Sequence, residues 1–340
     1  MAEPTIVIAG GSGVFGSVLA KEILSSTPAR LILTGRHLGR LEAARRRLPF
    51  ADRATAKRLD LEHAENFSRE ISGAFAVVCA AGPFRSLSPG LPGAAMRAGC
   101  HWLDLSDDRQ WVTALLANSV LSIAARKAGV AILPGLSTVP ALSGFLVRSC
   151  RERLPDARRA RVTLWIGNRN PKGAGAIESA LHSLQAGAEP VETPLGRVAA
   201  YRFDSPDREL LKQELDLDAE FRTGFEWKAA GQLAVLAAGI SRRTGRGMAA
   251  RWLSRLAAPF SRFGTDKGLL QAELWDAKGG RVSASLVAQG QRLAILPSLL
   301  ALEALLAGSL TGRGVVHPAA WLSPRDWAAR LSEKGAELLC

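Results

Sequence analysis

Residues 5–16 read TIVIAGGSGVFG, and no other run constrains the fold of this chain as strongly. Thr5 to Ala9 form a β-branched, apolar segment of the kind that fills buried parallel strands. It runs into four glycines, Gly10, Gly11, Gly13 and Gly16, and the next segment sets Phe15, Leu19 and Ile23 four apart on one helical face. Strand, glycine turn and helix in this order bring backbone close to a ligand. Glycines permit the tight turn and remove Cβ atoms, while the first-turn N–H groups and the helix dipole favour phosphate. The spacing predicts a pyrophosphate cradle from Gly10, Gly11, Ser12, Gly13, Val14, Phe15 and Gly16. An ordinary glycine-rich strand-to-helix turn is the alternative.

The pattern then repeats. RLILTG (30–35) reads as a second strand, followed by Arg36 and, one helical turn on, Arg40. A site for NAD usually places an acidic residue here to hold the ribose hydroxyls. Thr34 and Gly35 stand there instead, and the Arg36 cation suits a 2′-phosphate. NADP is favoured, with NAD the alternative. A third strand at 56–62 carries Asp60, placed for adenine. A fourth at 74–84 ends in Ala80, Ala81, Gly82 and Pro83, small enough to pass beneath a cofactor. A fifth at 101–108, a long helix at 109–128 and a sixth strand at 130–136 complete a doubly wound parallel sheet.

The chain resembles the saccharopine dehydrogenase-like NAD(P)-binding oxidoreductases. The likeness rests on GGSGVFG (10–16), TGR (34–36), AAGPF (80–84), HWLDLSDD (101–108) and PGLSTVPAL (134–142). It continues more loosely through 166–181 and FGTDKG (263–268). It implies a Rossmann domain over 1–145, an α+β substrate and dimerisation domain over 146–315, and a C-terminal segment, 316–340, packing back on the first. It also implies hydride transfer between a nicotinamide and the carbon of a C–N bond, in a homodimer. The short-chain dehydrogenases need a tyrosine with lysine four residues later; the single tyrosine, Tyr201, is followed by Ser205, which excludes their mechanism.

The second half changes period. Val162, Leu164 and Ile166 alternate, as do Leu270, Ala272 and Leu274, and then Val282, Ala284, Leu286 and Ala288 after a glycine turn. These runs predict a mainly antiparallel sheet with its apolar face against helices near 174–186, 230–242 and 296–307. Its polar face, with Ser283, Ser285 and Gln289, would meet solvent or a subunit partner. Residues 229–264 mix basic groups with Leu, Trp and Phe, as interfacial helices do. The plainer reading is a helical insertion over the substrate cleft with its arginines exposed.

Net charge is +13, but nine of the 44 basic residues are lysine and the arginines are spread from Arg30 to Arg330. Nucleic acid is not the partner this dispersion favours; a small-molecule substrate is. Four scattered cysteines and five unclustered histidines argue against a disulfide framework or a metal site. The short apolar runs and the start of the chain read as a soluble, cytoplasmic protein.

Ligands of open parallel sheets sit beyond the strands' carboxyl ends. Asp104 and Asp107 are the carboxylates best placed to stabilise an iminium, although SDD (106–108) also has helix-capping chemistry. Phe84, Asn168 and Lys172 are candidate substrate contacts, with Arg85 and Arg169 weaker ones, and Lys172 and Lys267 are equal candidates for a proton donor. His101, at the opposite strand end, and Cys79, late in a buried strand, read as structural. The absence of an unmistakable proton donor leaves a non-catalytic NADP-binding sensor or assembly factor as the alternative to an enzyme. A membrane-peripheral reductase of a lipid-like substrate is a third reading.

Overall fold

The computed structural model describes residues 3–61, 66–171, 173–244, 262–289 and 291–340. Its chain forms two compact units, Met1–Ser137 with Ala294–Trp321, and Thr138–Leu293 with Leu322–Cys340.

The first unit is built on seven parallel strands. They are β1 (Thr5–Ala9), β2 (Arg30–Gly35), β3 (Ala54–Arg58), β4 (Ala76–Cys79), β5 (His101–Asp104), β6 (Ala131–Leu133) and β13 (Gly314–Val315), in the order β13-β6-β5-β4-β1-β2-β3. Helices α1 (Val14–Ser26), α2 (Leu38–Arg45), α3 (Phe67–Glu70), α4 (Leu91–Arg97), α5 (Arg109–Ala117) and α6 (Ser119–Lys127) connect the strands in sequence. Ile6, Ile8, Leu31, Leu33, Val77, Val78, Trp102 and Ile132 are fully buried, as strands covered on both faces require. The order reverses between β1 and β4, the switch point at which such sheets open a crevice. The helix expected over 109–128 is broken at Asn118, which ends α5 and caps α6 by accepting from Leu121 N at 2.9 Å.

The second unit carries a mixed sheet: β7 (Arg159–Ile166), β8 (Leu184–Thr193), β9 (Gly196–Phe203), β10 (Asp218–Phe225), β11 (Lys267–Trp275), β12 (Arg281–Gln289) and β14 (Glu337–Leu339), in the order β14-β12-β11-β7-β10-β9-β8. β7 and β10 pair in parallel; the other neighbours are antiparallel. Helices α7 (Ser143–Arg153), α8 (Ala174–Ser183), α9 (Asp207–Leu215), α10 (Lys228–Thr244) and α12 (Pro324–Glu333) lie in this unit, and α11 (Arg292–Leu306) leads back into the first. The period-two pattern is realised over most of its length: Val162, Leu270, Ala272, Leu274, Ala284 and Leu286 are buried on the face that α7 covers, whereas Leu164 is half-buried and Ile166, at the end of β7, is exposed. The cover over β7, β11 and β12 is thus α7, in place of the helices expected there near 174–186, 230–242 and 296–307. On the other face the register aligns Ser285, Gln271, Thr163 and Arg222 across four strands. The β8–β9 hairpin curls back over that row, where Gln271 Nε2 donates to Glu192 O at 3.0 Å and Arg222 Nη2 meets Glu189 at 2.8 Å. Of the polar residues expected to face outward, Ser283 and Gln289 do so, whereas Ser285 is buried.

The C-terminal expectation needs correction. The chain re-enters the first unit earlier, over Ala294–Trp321, where Gly314 and Val315 extend the parallel sheet beside β6. Residues 322–340 belong to the second unit, since β14 adds an edge strand to β12 and Trp327 of α12 packs its ring 6.0 Å from that of Phe145.

One buried carboxyl sets a pH dependence. Asp207, first residue of α9, accepts from Ser143 Oγ at 2.9 Å, and its second oxygen is buried without a partner. Burial pushes its pKa up to about 7. The folded chain therefore keeps a proton that the unfolded chain loses near pH 4, and stability falls as pH rises from about 4 to about 7. Asp207→Asn removes the charge without changing the volume. It is expected to raise the melting temperature above about pH 7, by the equivalent of a few kcal/mol, and to change it little near pH 4. Thermal melts at the two pH values check this; the same shift at both would refute a neutral carboxyl.

Candidate cofactor site

The turn after β1 is shaped by close contacts. Gly10 has φ +79°, and the amides of Gly10 and Gly11 both donate to Thr34 O, at 2.9 and 3.1 Å. A Cβ on Gly10 would stand 2.8 Å from Ala81 N, one on Gly11 2.8 Å from Leu33 Cβ, and one on Gly16 2.3 Å from Gly10 O. These three glycines let the loop nest between β2, β4 and α1. Gly13 differs: a Cβ there would have only Gly10 O within 4 Å, at 3.1 Å. It is the cap residue of α1, its φ of −76° is ordinary, no side chain caps the helix, and the first turn carries no acidic residue. A thirteen-residue helix thus begins with its orphan amides, those of Val14, Phe15 and Gly16, uncapped by any side chain at the switch point of the sheet. Such a start fits a phosphate in both charge and hydrogen-bonding capacity.

The expected flanking residues divide into those that face outward and those that do not. Arg36 and Arg40 are exposed, on the turn after β2 and in the first turn of α2, and Asp60 is exposed just past β3. Gly35 ties β3 in place, its carbonyl accepting from Leu59 N at 3.1 Å. Thr34 is corrected: it is buried, its hydroxyl donates to Ile8 O at 3.3 Å, and its carbonyl anchors the glycine turn, so its role is structural. Ala80, Ala81 and Pro83 are half-buried and Gly82 is exposed at the end of β4, next to Gly10. Phe84 is corrected as a substrate contact. Its ring is buried 5.5 Å from that of Trp111, which supports the loop from below.

Asp104 is also corrected. It is fully buried, and both oxygens are spoken for. Oδ2 accepts from the indoles of Trp102 at 2.8 Å and Trp111 at 2.9 Å, and Oδ1 from the amides of Gly135 at 2.9 Å and Ser106 at 3.1 Å. Burial raises its pKa, and these four donors pull it back. The carboxylate ties together β5, the loop after β6 and α5; it is not aimed at a substrate. The capping role falls to Asp108, which accepts from Trp111 N at 3.0 Å. Asp107 lies between them in the chain and is half-buried, just past the carboxyl end of β5. His101 is structural as expected: buried, accepting from Ala131 N at 2.9 Å, its pKa lowered to about 4 by burial and by Arg313. Cys79 is core, with burial pushing its thiol far up.

In the second unit a residue not read from the sequence organises two motifs that were. Glu226, just past β10, accepts from Asn168 N at 2.6 Å and Thr265 N at 3.0 Å. Gly167 and Gly264 are glycines because a Cβ would lie 2.3 Å from Thr265 O and from Glu226 Oε2, respectively. Asn168 Nδ2 donates to Phe263 O at 3.1 Å. Segments 166–170 and 263–267 are thereby clasped around one carboxylate. This gives Asn168 a structural role in place of the substrate contact expected of it. Only adjacency across the strand ends reveals Glu226; nothing in its local sequence marks it. Lys172 and residues 245–261 lie outside the described residues. Among the described residues no group of metal-ligating side chains is found, and no helix is long and apolar enough to cross a membrane.

No family model matches the chain, and no curated protein does. Among solved structures, it is similar in fold to apo saccharopine dehydrogenase (L-Glu forming) from Saccharomyces cerevisiae, with a TM-score of 0.67 and 13% identity over 100% of both chains. Fainter likenesses are to GenD2 from gentamicin A biosynthesis, in complex with NAD (TM-score 0.42, 14% identity, 84% of this chain and 73% of that one), and to a myo-inositol dehydrogenase from Corynebacterium glutamicum (0.41, 11%, 83% and 75%). The fold that the sequence motifs imply is the fold observed.

Proposed function

We propose that this chain is an NADP-dependent oxidoreductase that moves a hydride to or from the carbon of a C–N bond, or a related polar double bond, in a small molecule. The observation that carries the reading is the uncapped, glycine-lined start of α1 at the switch point of a parallel sheet. The C–N class draws support from the motif resemblance and from the whole-chain fold likeness to a saccharopine dehydrogenase.

The roles follow from placement. The amides of Val14, Phe15 and Gly16 bind the pyrophosphate, with Gly13 leaving room for it to approach. Arg36, with Arg40, binds the 2′-phosphate, and Asp60 lies toward the adenine end. Ala80 to Pro83 provide a low floor for the nicotinamide, stiffened by Phe84 on Trp111. When bound, the nicotinamide supplies or accepts the hydride. Asp107 stabilises an iminium cation by charge, and a protonated imine needs little further acid catalysis.

Arg36→Asp is the direct test of cofactor choice. NADPH affinity, read by fluorescence titration, is expected to fall by about tenfold to a hundredfold, with NADH affinity little changed. Equal losses would place the arginine elsewhere. Turnover is tested by supplying imine, enoyl and carbonyl compounds and following NADPH oxidation by absorbance. Tight NADPH binding with no oxidation in any class would replace the enzyme by a cofactor-binding sensor.

A further inference from the structure

The face of the second sheet that β8 and β9 curl over carries a polar array that the protein itself leaves incomplete. Gln271 and Glu273, two apart on β11, point to the same side, and the register sets Ser285 opposite the first and Ser283 opposite the second. Gln271 and Glu273 are 4% and 2% exposed. Gln271 Nε2 is in use, donating to Glu192 O at 3.0 Å, and Arg281 holds Glu273 Oε1. Gln271 Oε1 and Glu273 Oε2 are buried with no partner among the described residues. Buried acceptors are nearly always met, so two on neighbouring positions of one strand call for a donor from outside the chain. Beside them lies a cavity of about 270 Å³. Gln271, Arg281, Ser283 and Ser285 line it from the sheet, and Thr193 and Pro194 from the hairpin turn. That turn is braced by Thr193 Oγ1, which donates to Gly196 O at 2.7 Å. All of these residues belong to the second unit.

Charge and hydrogen-bonding capacity say what the cavity fits. Its charges are already paired, Arg281 with Glu273, and Glu192 on the wall with Arg197 at 3.5 Å. An ionic ligand of either sign would have to compete with one of these pairs. The two unpartnered atoms are acceptors, whereas the serine hydroxyls and the Arg281 N–H groups can donate. A ligand hydroxyl suits both, since it donates and accepts at one atom. We propose that this cavity binds a small, uncharged, polyhydroxylated molecule of the monosaccharide or sugar-alcohol class. Gln271 Oε1 accepts from one of its hydroxyls, and Ser283 and Ser285 bond the hydroxyls beside it. The volume lies at the low end of ligand pockets, which run from roughly 300 to 1,000 Å³, and so suits a single small molecule rather than a polymer. Binding here needs no cofactor, so its failure and the failure of the oxidoreductase reading are separable.

The experiment is saturation-transfer NMR on the full chain without cofactor, titrating glucose and mannitol, with putrescine and glutarate as the cationic and anionic comparisons. Saturable binding of at least one of the two polyols is expected, with a Kd of about 1 mM, because hydroxyls exchange water for protein at small net gain. Putrescine and glutarate are expected to show none. Gln271→Leu should weaken polyol binding by about tenfold. If that variant loosens the hairpin, Ser283→Leu keeps the test sharp. It narrows the cavity from an exposed strand position and leaves the Gln271 to Glu192 bond alone. It should lose at least as much binding while its circular dichroism and melting temperature stay as in wild type. No saturable binding of either polyol at ten times the expected Kd overturns the proposal, as does undiminished binding by the folded variants. Tighter binding of putrescine or glutarate overturns the ligand class. Light scattering showing an oligomer that Ser283→Leu dissociates, with no polyol bound, would assign the face to a second copy.

Discussion

Asp104→Ala is expected to lower stability by about 3–5 kcal/mol, an effect of the size seen when a buried charge network loses one partner. The substitution leaves the indole N–H groups of Trp102 and Trp111 and the amides of Ser106 and Gly135 without their acceptor. Each such group, kept from water, costs about 1–3 kcal/mol, and partial relaxation keeps the total below the simple sum. Asp104→Asn should be nearly as damaging. Its amide is half donor, and every neighbour that bonds Asp104 is a donor, so one of its two ends must face N–H groups with N–H. Thermal or urea denaturation of both variants decides the matter. A well-folded Asn variant losing less than about 1 kcal/mol would show that the carboxylate is not the hub. Binding is expected to suffer too, because Trp111 carries Phe84 and with it the loop from Ala80 to Pro83.

That role also marks where reading the sequence runs out. An aspartate at the end of a central strand looks catalytic because strand ends border the crevice. Whether it faces the crevice or the interior depends on neighbours seven and thirty-one residues away, Trp111 and Gly135, which no local pattern brings together. Trp102, two residues earlier on the same face of β5, was the one nearby hint. Phe84 and Thr34 mislead for the same reason. The motif places them beside the site, while packing against Trp111 and bonding to Ile8 turn their side chains away from it. Local pattern does fix some elements. β1 and β2 lie where the β-branched runs put them, and β11 and β12 flank the glycine turn that the alternation predicts. The β8–β9 hairpin has no such signal, since β8 includes an exposed AGAEP stretch without alternation and its register against β9 shifts between Leu184 and Ala188. The return of Ala294–Trp321 to the first unit is likewise a long-range fact, carried by two residues that pair with β6.

Gly16→Ala and Gly13→Ala together separate the two things that the glycine turn does. At Gly16 the new methyl would stand 2.3 Å from a backbone oxygen, that of Gly10, which cannot swing aside as a side-chain end would. The helix or the turn must shift, and the expected cost is about 1–3 kcal/mol of stability, with NADPH affinity falling along with it. At Gly13 the backbone is in an ordinary extended conformation and the methyl meets one oxygen at 3.1 Å, so stability should change by less than about 1 kcal/mol. Its side chain nonetheless occupies the cap position, where the phosphate must come closest to the backbone. NADPH affinity is expected to drop by about tenfold or more in this variant while its melting curve stays near that of wild type. The pair therefore predicts a crossing: one variant loses fold and binding, the other binding alone. A Gly13→Ala protein that binds NADPH as wild type does would mean that the turn serves only to pack α1 against the sheet, and that no diphosphate sits at its start.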